Sequence, residues 1–163
     1  MFPERLRNLA MLILDDAEQA RLKIATAESC TGGLLAALFT EIPGSSSVFE
    51  RGFVTYSNRA KEEMLGVPGD ALADYGAVSE PVARMMAEGA LTNSRANISV
   101  GITGVAGPGG GTRMKPVGTV HIACARENRA IIHEHLQLGE ISRDAIRMAA
   151  VESALNLIQA QMR

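Results

Sequence analysis

The feature that most limits the fold is a short apolar run that stops on a polar, glycine-containing turn. Leu22 to Ala27 is followed by Glu28-Ser29-Cys30-Thr31-Gly32-Gly33, and then by Leu34 to Thr40, rich in Leu and Ala. The first run is too short for a helix of useful length and reads as a buried strand; the second reads as a helix opened by the glycines. A strand that feeds a helix through so tight a turn belongs in a sheet covered by helices.

The rest of the chain extends that pattern. Leu6, Leu9, Ala10, Ile13 and Ala17 recur at helical spacing and predict an amphipathic helix over about residues 4–20. Ile42-Pro43-Gly44-Ser45-Ser46-Ser47 breaks the second helix, and Phe53-Val54-Thr55-Tyr56 reads as a strand. Asn58 is the expected N-cap of a short helix carrying Lys61, Met64 and Leu65, which Gly66 and Pro68 end. Residues 69–76 are expected to form a loop. Ser79 should cap the next helix, with Pro81 in its first turn and Val82, Met85, Met86 and Gly89 along its inner stripe, the glycine permitting a close approach.

Asn97 to Ile102 reads as a strand running into a glycine-rich segment. Val117 to Ala125 and Ala130 to Leu138 read as two strands joined by a hairpin at Arg126-Glu127-Asn128-Arg129, and Ile146 to Ile158 marks a closing helix. The expected fold class is α/β, with α+β as the alternative. It is a single three-layer domain over residues 1–163, with helices covering a mixed sheet. A chain of 163 residues buries enough surface to need no staples.

Composition removes several function classes. A net charge of −2 supplies no basic field for nucleic acid. Leu9 to Leu14 stops at Asp15-Asp16, too short to span a membrane, and Met1-Phe2-Pro3-Glu4-Arg5 does not resemble a signal peptide. Cys30 and Cys124 form neither a metal pattern nor a disulfide framework, so the cytoplasm is the expected compartment. The Met and Ala stripes of the helices suggest a homo-oligomer.

Four segments can carry chemistry. Ser29 sits between a strand and a helix N-terminus, where unpaired N–H groups can stabilise an alkoxide or an oxyanion. The alternative is that Ser29 or Thr31 is only a helix cap. Cys30 could profit from the same site as a thiolate, but is more simply a small buried residue.

Lys61 falls in the first turn of its helix. There the dipole and burial both push it toward the neutral amine that a general base must be. The alternative is a solvated surface lysine. Tyr56 precedes the same turn and could donate its hydroxyl to a substrate or polarise Ser29.

Thr103-Gly104-Val105-Ala106-Gly107-Pro108-Gly109-Gly110-Gly111-Thr112 follows a strand and can turn several N–H groups toward an anion. It fits neither the Walker pattern nor the dinucleotide fingerprint, and a flexible loop is its alternative. Arg143 and Arg147 share one helix face and could both reach a phosphate, unless they pair with Asp144 or Glu140. His133-Glu134-His135 places two imidazoles on one strand face. With no third ligand in view these read as surface histidines on an edge strand, and no metal site is expected.

Together these motifs resemble the C-terminal domain of the CinA family, the competence- and damage-inducible proteins that include the nicotinamide mononucleotide amidases. The matching runs are Thr26 to Gly33, Gly52 to Asn58, Lys61 with Leu65-Gly66-Val67, Gly76 to Glu80, Gly101 to Gly104 with Gly107 to Gly110, and Lys115 to Val120. They cover nearly the whole chain in order.

The resemblance implies hydrolysis of nicotinamide mononucleotide to nicotinate mononucleotide and ammonia; that mechanism needs no metal or organic cofactor, and charge and hydropathy give no nucleic-acid or membrane partner. It implies Ser29 as nucleophile, Lys61 as general base and Tyr56 as a further catalytic group. Cys30, Thr31, Gly32, Gly33, Asn58, Thr103, Gly104, Gly107, Pro108, Gly109, Gly110 and Arg143 are the implied substrate-binding positions.

Two departures stand out. The link into the last helix, Gly139-Glu140-Ile141-Ser142-Arg143, is two residues longer than the Gly-Asp-Arg of many members. The N-terminal domain of larger members has no counterpart in these residues, so its pyrophosphatase activity is not expected here. The rival readings are an inactive nucleotide-binding module with a regulatory or competence-related role, and a phosphohydrolase, for which no acidic metal cluster is present.

Overall fold

Five strands form one sheet in the order β2-β1-β3-β4-β5, seen in a computed structural model that describes all 163 residues. The elements in chain order are α1 (Glu4–Gln19), β1 (Ile24–Glu28), α2 (Leu34–Glu41), β2 (Phe49–Val54), α3 (Asn58–Leu65), α4 (Gly69–Tyr75), α5 (Glu80–Thr92), β3 (Ile98–Gly104), β4 (Thr119–Arg126), β5 (Ile132–Gln137) and α6 (Arg143–Met162). The architecture is α/β.

β1 is the buried strand that the sequence predicts. All five of its residues are buried, and it pairs in parallel with β2 on one side and β3 on the other. β4 and β5 then run antiparallel, joined through a hairpin at which Asn128 takes the left-handed conformation (φ 62°). The sheet is therefore mixed.

The chain leaves β1 in one direction to reach β2 and passes back over β1 to reach β3. Right-handed crossovers made in opposite directions put the connecting helices on opposite faces. One face is closed by α1, α2 and α6 around Leu6, Ile13, Phe39, Ile98, Ile122 and Ile158. The other is closed by α3, α4 and α5 around Leu65, Val82 and Met86, with an alanine seam of Ala83, Ala87, Ala123 and Ala125 between α5 and β4. Gly89 does allow a close approach: a methyl group there would overlap the carbonyl oxygen of Leu65 in α3.

Three sequence expectations need correction. The predicted strand at Phe53–Tyr56 begins earlier and ends earlier, at Phe49–Val54. It is an edge strand with half of its residues exposed to solvent, so its apolar signal is weak. The N-cap of α3 is Ser57, whose Oγ accepts from the Ala60 N–H at 3.0 Å, and Asn58 is the first helical residue. Residues 69–76 are a loop only at their end. Pro68 starts the short helix α4, which buries Ala71 and Leu72 and stops at Gly76 (φ 76°).

The Ser79 cap of α5 is present, with its Oγ accepting from Val82 N–H at 3.4 Å. The first helix and the closing helix lie where the sequence places them.

Candidate active site

The carboxyl ends of β1 and β3 flank the point where the strand order reverses. In open α/β sheets this is where a crevice forms, because neighbouring connections diverge to opposite faces. Ser29 follows the last residue of β1, and its N–H still donates to Ile102 O at 3.0 Å, which fixes this turn to β3. A cleft of about 220 Å³ opens there.

Lys61 reaches this cleft from α3. It stands one turn before Leu65 on the inward stripe of that helix, and both are buried. Only 1% of Lys61 is accessible. Its Nζ lies 3.0 Å from Ser29 Oγ, and it donates to Thr55 O at 2.9 Å and Tyr56 O at 3.3 Å. Burial lowers its pKa from the ordinary lysine value, opposed only by the nearby Cys30. With two N–H bonds on those carbonyls, the neutral form of the amine would present its lone pair to the serine hydroxyl. The surface-lysine alternative is excluded.

The helix-cap alternative for Ser29 and Thr31 is excluded as well. Gly33 (φ 101°) occupies the N-cap of α2 without a side-chain bond. The cap is supplied by Glu28, a wholly buried carboxylate that accepts from Leu35 N–H at 3.0 Å and Ala36 N–H at 3.1 Å. A helix N-terminus suits an anion, and here the protein provides its own. Gly32 N–H is taken by Ser29 O, and Leu34 N–H by Thr31 O. The N–H groups of Cys30, Thr31 and Gly33 have no backbone or side-chain oxygen as partner.

Cys30 is not poised as a thiolate. Burial pushes its thiol up to about 11, so it stays protonated at neutral pH. The turn that carries Ser29 and Cys30 is held from α6. Arg147 donates from Nε to Cys30 O at 3.1 Å and from Nη2 to Thr31 O at 3.2 Å. Arg147 is therefore a clamp on the turn after β1 rather than a free phosphate ligand.

Arg143, the first residue of α6, faces the cleft; its Nη1 donates to Gly107 O at 2.7 Å. The longer link into α6 is absorbed by Ser142, whose Oγ caps the helix through Ala145 N–H at 3.1 Å. The Asp144 and Glu140 pairings do not form.

Of the residues singled out in the sequence, the cleft brings together Ser29, Cys30, Tyr56, Asn58, Lys61, Thr103, Gly104 and Arg143. Tyr56 stands at the mouth, 66% exposed, and holds Lys61 through its carbonyl; the serine oxygen's protein partner is Lys61. Thr103 is buried, with Oγ1 donating to Ala77 O at 2.9 Å. Thr31, Gly32 and Gly33 do not line the cleft; Thr31 is buried and Gly32 is exposed. Gly107 supports Arg143, and Pro108, Gly109 and Gly110 are exposed outside the cleft.

Ala77, Val78 and Ala106 also line the cleft; neither they nor Glu28 were site candidates in the sequence, where Arg147 read as a phosphate ligand and not as a clamp. Only Glu28 carried a signal: an acidic residue ending an apolar strand must find a partner.

The CinA C-terminal domain model matches residues 6–162. A CinA-like protein of Anaeromyxobacter sp. (strain Fw109-5) is 48% identical over 163 residues, all of this chain and 39% of that protein. A CinA-like protein of Akkermansia muciniphila is 64% identical over 107 residues, 66% of this chain and 26% of that protein. The chain thus spans well under half the length of these relatives.

Among solved structures, the competence/damage inducible protein CihA from Agrobacterium tumefaciens superposes with a TM-score of 0.98 at 49% identity, covering 100% of this chain and 99% of that one. A CinA superfamily protein from Klebsiella pneumoniae gives a TM-score of 0.91 at 31% identity, covering 96% and 97%. The chain belongs to the CinA C-terminal domain family.

Proposed function

We propose that this domain is an amidohydrolase that converts nicotinamide mononucleotide and water to nicotinate mononucleotide and ammonia. The observation that carries the chemistry is the buried amine of Lys61, 3.0 Å from Ser29 Oγ, at the carboxyl end of β1. The choice of substrate follows from the family resemblance of the motifs that build the cleft.

In this reading the Ser29 hydroxyl donates its proton to Lys61 Nζ as Oγ attacks the carboxamide carbon. The carbonyl oxygen becomes an oxyanion, and the unpartnered N–H groups at Cys30 and Thr31 are its proposed donors. Lys61 returns the proton to the departing nitrogen, the C–N bond breaks and ammonia leaves. Water, deprotonated by the same amine, then cleaves the ester on Ser29 and regenerates the hydroxyl.

Arg143 at the cleft rim is the proposed partner of the 5′-phosphate. Tyr56, with its exposed hydroxyl, is the proposed contact to the substrate at the mouth. No step requires a metal or organic cofactor. The compartment we propose is the cytoplasm, where such a nucleotide is available, and the working form a homo-oligomer.

The test is incubation with nicotinamide mononucleotide, following ammonia and nicotinate mononucleotide together. Equal release of both products supports the reading. Ligand binding without turnover replaces it with the nucleotide-binding module.

A further inference from the structure

The sequence offers two neighbouring histidines and no third ligand, but the sheet register supplies one. His121 on β4 pairs directly with His135 on β5, and Ala123 with His133. Alternate residues of a strand share a face, so His121, His133 and His135 project from the same side of the sheet, beyond the alanine seam where α5 begins.

Their rings are already gathered. His121 stacks on His135 at a centroid distance of 4.2 Å and on His133 at 5.1 Å. His121 Nδ1 and His133 Nε2 are 2.9 Å apart. Two ring nitrogens at that distance share one proton, so one of them is a lone pair. Glu80, at the start of α5, sets which one. Its Oε1 lies 3.5 Å from His133 Nδ1, while Oε2 accepts from Arg84 Nε at 2.8 Å. A carboxylate beside Nδ1 favours the tautomer with the proton there and a lone pair on Nε2 of His133, the arrangement in which outer carboxylates orient metal-binding imidazoles.

We propose that His121, His133 and His135 form a binding site for one divalent transition-metal ion, Zn²⁺ foremost, with Glu80 orienting His133 from outside. In the structure the donor atoms do not yet converge on one point, but the adjustment is small. A tetrahedral Zn²⁺ with Zn–N bonds of about 2.0–2.1 Å holds its donors about 3.3 Å apart. The 2.9 Å pair therefore has to open by only a few tenths of an ångström as the shared proton is lost.

His135 is the exposed member, and to ligate with the pair its ring has to turn out of its stack on His121. Three imidazoles leave a fourth position for water, and imidazole donors select Zn²⁺, Cu²⁺, Ni²⁺ or Co²⁺ over Mg²⁺ and Ca²⁺. His121 also pairs with Thr103 of β3, which lines the cleft, so an ion here would sit one strand from the candidate active site without touching Ser29 or Lys61.

The experiment is titration of metal-stripped, untagged protein with Zn²⁺ by calorimetry and with Co²⁺ by visible absorption. The expected result is one ion per chain, with the intense ligand-field bands of a tetrahedral cobalt site. His135→Ala and His133→Gln, checked for unchanged thermal unfolding, should abolish the bands, and Glu80→Gln should weaken binding by roughly 10- to 100-fold. No binding by the folded wild type, or binding that survives both histidine substitutions, overturns the proposal. None of these readouts uses amide hydrolysis, so the result stands apart from the proposed function.

Discussion

Lys61 Nζ lies 3.0 Å from Ser29 Oγ, and the two residues are 32 positions apart in the chain. The contact is made by topology. β1 ends one residue before Ser29, its neighbour β2 ends at Val54, and α3, capped by Ser57, then turns Lys61 inward over the end of β1.

Burial lowers the Lys61 pKa below 10.5, and this has two consequences. The acid limb of the rate profile should follow Lys61 deprotonation and lie below the ordinary lysine range. Between the folded and unfolded values the unfolded chain binds more protons, so stability should rise with pH across that window. Urea unfolding of wild type and Lys61→Met as a function of pH should show that slope in the first and not in the second.

Glu28 stabilises the turn that carries Ser29 by capping α2 through the N–H groups of Leu35 and Ala36. Glu28→Gln keeps one acceptor and should cost about 1–2 kcal/mol; Glu28→Ala leaves two buried N–H groups unpaired and should cost about 2–4 kcal/mol. Denaturant midpoints measure this, and the rate should fall along with stability because Ser29 is the next residue.

The two α6 arginines should separate kinetically. Arg143→Ala removes a group at the cleft rim and should raise KM for the mononucleotide roughly tenfold or more with a smaller effect on kcat. Arg147→Ala frees the carbonyls of Cys30 and Thr31 and should lower kcat. Steady-state kinetics of the two variants makes the comparison.

Gly89→Ala sets helix propensity against packing. An exposed helical glycine gains up to about 1 kcal/mol from alanine. Here the new methyl would overlap the backbone carbonyl of Leu65, which has no rotamer to give. The net effect should be a loss of about 2 kcal/mol or more, readable as a lower unfolding midpoint.

Much of this was legible in the sequence where the signal is local. The buried β1, the Ser79 cap, the hairpin at Asn128 and the inward stripe of α5 follow from residue pattern alone. α4 was not, because Gly69-Asp70 at its start imitates a turn and only Ala71 and Leu72 mark its buried side. Ser29, Lys61, Thr103 and Arg143 could be named as candidates, yet their meeting depends on strand order.

Arg147 had the same spacing signal as Arg143 and took a different role, since its bonds go to the turn after β1. His121 was invisible for a similar reason. Its partners lie across the β4–β5 register, and no spacing along the chain reveals them.

Ammonia release from nicotinamide mononucleotide by wild type, Ser29→Ala and Lys61→Ala tests the central claim most directly. Removing either member of a nucleophile–base pair costs most of the chemistry, so each variant should lose roughly a thousandfold or more in kcat while remaining folded. Wild-type rates in Ser29→Ala would contradict the account outright.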